Sequence, residues 1–100
     1  MKLIFFNFLF LFSLAAAAEN IVNATRVWPA PDYTRVTIES SSAISNDQMM
    51  LQNPERIVVD LKDIELNDAL KQLSSQVDSL DPNIKKIRVA KFNPKVTRLV

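Results

Sequence analysis

Beyond its first 18 residues the chain predicts a mainly β fold, a β-sandwich-like module with one short amphipathic helix. Three observations carry this expectation. Short segments alternate apolar and polar side chains, the period of a half-buried strand. Turn-forming clusters separate them at Pro29-Ala30-Pro31-Asp32, Ser40-Ser41-Ser42, Asn53-Pro54-Glu55, Asp81-Pro82-Asn83 and Asn93-Pro94-Lys95. One stretch alone changes to helical spacing.

Ile21 to Trp28 is the first predicted strand. Tyr33 to Glu39 is the clearest, with Val36 and Ile38 on one face and Arg35, Thr37 and Glu39 on the other. Ser42 to Leu51 is weaker; its apolar content is Ile44 and the run Met49-Met50-Leu51. In Arg56 to Leu61, Ile57, Val59 and Leu61 face inward and Arg56 and Asp60 outward. Val58 on the outer face suggests that both faces are partly covered. Leu66, Leu70, Leu73, Val77 and Leu80 then form one stripe of a helix. Asn67 suits its N-cap, Asp68 suits the positive end of its dipole, and Asp81-Pro82 ends it. Ile84 to Phe92 returns to strand, with Ile87 and Val89 on one face and Lys86, Arg88 and Ala90 on the other. Phe92 falls on the polar face, which predicts a bulge or bend near Ala90-Lys91. Asn93-Pro94-Lys95 makes a hairpin turn, and Val96 to Val100 forms a last strand.

Residues Met1 to Ala18 read as a signal peptide. Lys2 is the only charge before Glu19, Leu3 to Leu14 is almost unbroken Leu, Ile and Phe, and Ala15-Ala16-Ala17-Ala18 gives small residues at both positions a signal peptidase reads. A membrane-spanning helix needs about 20 apolar residues, more than this segment has. Cleavage is expected between Ala18 and Glu19, which leaves residues 19–100 as one domain in the periplasm with no membrane span. A domain of that size buries only about 60–65% of its unfolded surface, so its stability margin is thin.

Composition removes several function classes. Without Lys2 the remainder holds 11 basic and 11 acidic residues, with no block of like charge, which argues against nucleic acid. Cysteine and histidine are both absent, so thiol catalysis, thiolate metal sites, the commonest general base and the commonest zinc ligand are excluded. Glycine is absent too, so no Gly-rich phosphate loop is present, and positive-φ positions must fall to Asn or Asp. Asp60, Asp63 and Glu65 match no metal-loop spacing and read as solvated charges. No catalytic residue is expected.

Three blocks resemble a known family. They are Arg26-Val27-Trp28-Pro29-Ala30-Pro31-Asp32-Tyr33-Thr34-Arg35-Val36-Thr37-Ile38-Glu39-Ser40, Leu51-Gln52-Asn53-Pro54-Glu55-Arg56-Ile57-Val58-Val59-Asp60, and Ile84-Lys85-Lys86-Ile87-Arg88-Val89-Ala90-Lys91-Phe92-Asn93-Pro94. In this order they resemble the AMIN domain, in the version found at the front of periplasmic N-acetylmuramoyl-L-alanine amidases. The resemblance implies a sandwich module that binds peptidoglycan and favours the division septum, with divisome or outer-membrane proteins as further partners. The hydrolase chemistry would belong to a separate zinc domain, so residues 19–100 would need no cofactor. The same module also precedes type IV pilus secretins, and a free-standing periplasmic adaptor is a further alternative. The family pattern carries a glycine near Ala90 and often one near Lys95; here both are replaced, which implies a tighter turn or a straighter strand. The resemblance also implies that the domain is incomplete at its C-terminus.

Against that background Trp28 and Tyr33, flanking the Pro-rich turn, are either a platform for a sugar ring or stem peptide, or aromatics covering the sandwich end. Arg35, Arg56 and Arg88 are either forks for peptidoglycan carboxylates or cross-strand partners of Glu39, Glu55 and Asp60.

Overall fold

The computed structural model describes residues 3–10 and 20–100. The expected cleavage point between Ala18 and Glu19 lies outside the described residues. Two sheets face one another. The first holds β1 (Leu3–Phe10), β2 (Val22–Pro29) and β3 (Tyr33–Ser40) in the order β1-β3-β2. The second holds β4 (Asn46–Leu51), β5 (Arg56–Lys62), β6 (Val89–Asn93) and β7 (Val96–Leu99) in the order β4-β5-β7-β6. Two helical turns, α1 (Asp68–Lys71) and α2 (Leu73–Gln76), join the sheets.

Alternation builds the core as the sequence predicts. On β3, Thr34, Val36, Ile38 and Ser40 are buried, while Arg35 and Glu39 are exposed. Val59 and Leu61 of β5 oppose them, with Leu99, Leu70, Leu73 and Ile64 filling the space between. Val58 is also buried although it lies on the outer side of β5. A bulge between Val22 and Ala24 lets both Val22 and Thr25 turn inward from β2. Positive φ falls on Asn53 (65°) and Asp63 (55°), as a glycine-free chain requires.

Polar side chains pin the connections. Asn67 does two jobs: its Oδ1 accepts from Leu70 N at 3.1 Å, capping α1, and its Nδ2 donates to Val22 O at 2.9 Å. Thr25 Oγ1 donates to Ala69 O at 2.6 Å, and Gln76 Nε2 donates to Thr25 O at 2.9 Å. Below the sandwich, Asp81 Oδ1 accepts from Thr34 Oγ1, Asn83 N and Ile84 N.

Several boundaries differ from the sequence reading. The stripe from Leu66 to Leu80 is not one helix ended by Asp81-Pro82. Helical geometry stops at Gln76, and Leu80 is 86% exposed. The Ser74 and Ser75 hydroxyls donate to Lys71 O and Gln72 O, both at 2.9 Å, so side chains compete for the carbonyls a longer helix would use. Strand structure in β4 begins only at Asn46, and in β6 only at Val89, although Ile84 and Ile87 are still buried. The bend expected near Ala90-Lys91 is present one residue on: Lys91 pairs with Thr97 and Asn93 with Val96, leaving Phe92 over. The final strand is no edge, since β7 lies between β5 and β6.

Leu70 is fully buried, so Leu70→Ala should cost about 2–5 kcal/mol in denaturant unfolding through the cavity it leaves. Asn67→Ala removes a cap and should cost about 1 kcal/mol on the same assay.

Candidate functional site

The period of two that buries Val36 and Ile38 also decides what the first sheet shows to solvent. Tyr33, Arg35, Thr37 and Glu39 project outward from β3, and Ala24, Arg26 and Trp28 from β2. Antiparallel register sets Trp28 directly opposite Arg35 and Arg26 opposite Thr37. All of these but Tyr33, together with Thr25, line a shallow concavity of about 280 Å³. Trp28 is 53% exposed, and the Arg26 guanidinium lies 5.9 Å from its ring centroid. Tyr33 shares this face, half-buried, with its ring edge-on to Phe5 at 5.4 Å and 81°.

Of the five residues singled out from sequence, Trp28 and Arg35 are thus brought together, while Tyr33 lies on the same face outside the concavity. Arg56 and Arg88 are not among them; Arg56 opens β5 of the second sheet and Arg88 lies just before β6. Both line a separate cleft of about 400 Å³ whose other wall includes Ile4 and Phe6 of β1. Arg56 donates to Pro54 O at 2.9 Å, and Arg88 is tied through its backbone to Val100. The cross-strand ion pairs proposed for these arginines do not form. Among the described residues the ion pairs are Lys62–Asp47, Lys91–Glu65 and Arg98–Asp60, and none includes Arg35, Arg56 or Arg88.

Arg26 was not singled out from sequence. The signal that finds it is its spacing: two residues before Trp28 on the same strand, it must share that face.

Arg98 of β7 pairs across to Asp60 of β5. Its Nε and Nη2 donate to the two oxygens of Asp60 at 2.8 and 3.0 Å, and its guanidinium lies 3.6 Å from the centroid of Phe92. The hydrogen bond from Arg98 holds the Asp60 carboxyl below its ordinary value of 3.8, against a smaller opposing effect of desolvation.

The zinc that the resemblance associates with the amidases finds no fit in this chain. It contains no histidine or cysteine, and among the described residues no three carboxylates converge on a metal-sized site. No helix among the described residues is long and apolar enough to cross a membrane.

The architecture and the three sequence blocks meet in one further finding: the AMIN domain model matches residues 24–100. The chain belongs to the AMIN domain family. This AMIN module is 49% identical over 88 residues to N-acetylmuramoyl-L-alanine amidase AmiC of Escherichia coli O6:H1, a stretch covering 88% of the chain and 21% of that relative. It is 42% identical over 77 residues to N-acetylmuramoyl-L-alanine amidase AmiC of Neisseria meningitidis serogroup B, covering 77% of the chain and 18% of the relative. The chain therefore spans about a fifth of the length of the curated relatives it matches.

Because the Asp60 pKa is depressed in the folded state, its stabilisation is complete above the unfolded value and is lost as pH falls through the folded value. Asp60→Asn should therefore lower stability at pH 7, and its deficit should shrink towards zero in unfolding curves recorded below pH 3.8.

Proposed function

We propose that this AMIN module binds peptidoglycan and targets an exported N-acetylmuramoyl-L-alanine amidase to the division septum. Residues 1–18 act as its signal peptide, and the working compartment is the periplasm. Contacts with divisome or outer-membrane proteins complete the septal address. Hydrolysis belongs to a zinc domain elsewhere in the full protein; this module contributes non-covalent holding.

The observation that carries the reading is the outer face of β2 and β3. There an exposed indole has the Arg26 guanidinium 5.9 Å from its ring and Arg35 opposite it in the strand register, and Arg35 makes no ion pair among the described residues. Stem peptides of peptidoglycan carry free carboxylates, which a planar guanidinium can grip through two parallel hydrogen bonds. Sugar rings present C–H faces, which suit an exposed aromatic. Glu39 at the far end of the same concavity supplies an acceptor for a sugar hydroxyl or an ammonium group. The names of the two relatives support assigning the face to wall binding within an amidase.

The test is co-sedimentation of the processed protein with purified sacculi. Trp28→Ala and Arg35→Ala should each weaken apparent affinity about tenfold, equivalent to about 1.4 kcal/mol. Both side chains are exposed, so unfolding midpoints should hardly move. Raising the salt should weaken wild-type binding by screening the guanidinium–carboxylate contacts. Wild-type protein remaining in the supernatant, or both variants sedimenting like wild type, would defeat this assignment.

A further inference from the structure

Strand β1 is drawn from the segment whose composition marks it as a leader, yet it is built into the sandwich. It pairs with β3 in parallel over its whole length, from Leu3 opposite Tyr33 to Phe10 opposite Ser40. Leu3 N donates to Asp32 O at 3.2 Å at the start of the ladder. Its inward side chains Ile4, Phe6 and Phe8 pack against the core. The register sets Phe6 opposite Val36 and Phe8 opposite Ile38, both with no exposed surface. Without β1 the first sheet is a two-stranded ribbon, and the β3 side of the core lies open. An edge of that kind combines unpaired N–H and C=O groups with uncovered apolar side chains, the two features that draw in another strand.

The fit of β1 is not perfect. Asn7, opposite Thr37, has its Nδ2 buried with no hydrogen-bond partner among the described residues.

We propose that the outer edge of β3 is a strand-acceptor site and that the leader segment Leu3–Phe10 is its occupant in the unprocessed chain. The site takes one extended segment, running parallel to β3, with bulky apolar side chains at alternate positions. While the leader is attached it closes the sandwich and blocks any other strand from this edge. Removing it exposes the β3 ladder and takes away the Ile4 and Phe6 wall of the cleft, uncovering the Ile57 and Ile87 side. The proposal rests on the reading of residues 1–18 as a leader only for its link to processing. The pairing itself stands independently of that reading.

The experiment uses the chain purified with its leader retained, its intact mass verified, and follows amide hydrogen exchange in peptides covering β3 and β5. In the unaltered chain β3 should be protected. Phe6→Asp and Phe8→Asp, each placing a charge on the inward face of β1, should speed exchange in β3 by at least about tenfold while β5 stays protected. Phe5→Asp, on the outward face, should leave both strands protected. Fast exchange in β3 of the unaltered chain, unchanged β3 protection in the Phe6 and Phe8 variants, or equal effects of Phe5→Asp and Phe6→Asp would each overturn the proposal. Terminal sequencing of the exported protein tests the leader reading separately, so the two failures are distinguishable.

Discussion

Strand β3 can sit in only one register. Its inward set, Thr34, Val36, Ile38 and Ser40, fits the space between the sheets, and its outward set carries Tyr33, Arg35, Thr37 and Glu39. A slip of one residue would bury a guanidinium and a carboxylate and expose Val36 and Ile38, exchanging the faces completely. The burial of two aliphatic side chains thus positions Arg35 opposite Trp28. Functional geometry on the outside follows from packing on the inside, and no separate device is needed to aim those groups.

Other chains of this size rely on disulfides or on glycine-shaped turns; this one has neither cysteine nor glycine. Side-chain amides and hydroxyls take over. Asn53 and Asp63 adopt the left-handed backbone at their turns, and Asn93 Oδ1 accepts from Lys95 N at 2.8 Å across the β6–β7 hairpin. Asn67 links a helix start to β2, Thr25 and Gln76 tie the helical turns to the same strand, and Thr97 Oγ1 donates to Ile64 O at 2.8 Å. Each of these bonds joins residues far apart in sequence, so together they stitch the sandwich where a covalent link would otherwise serve.

The strand β3 was legible in the sequence because it has one buried face, so alternation survives intact, and β5 because Val59 and Leu61 keep that period although Val58 is buried on its other side. The second half of the helix was not. Its leucine spacing is correct, but the Ser74 and Ser75 hydroxyls are rival donors to backbone carbonyls that a stripe of apolar residues does not reveal. Strand order was also hidden. Arg35, Arg56 and Arg88 all read as outward-facing arginines on strands, and only the assignment of strands to two different sheets separates Arg35 from the other two. The place of Leu3–Phe10 in a sheet was obscured by composition: continuous apolar sequence carries no alternation, so it reads as a leader without showing that either face could be selected by a core.

Phe92 is surplus to the β6–β7 ladder and would leave an aromatic ring bare on the outer side of the second sheet. Arg98 covers it, and Asp60 fixes Arg98 in place through two oxygens. Charge here serves as a lid over hydrocarbon. Phe92 nonetheless stays 55% exposed, so the lid closes one side of the ring and sets a charge beside an apolar spot that the bulge would otherwise leave as plain hydrocarbon.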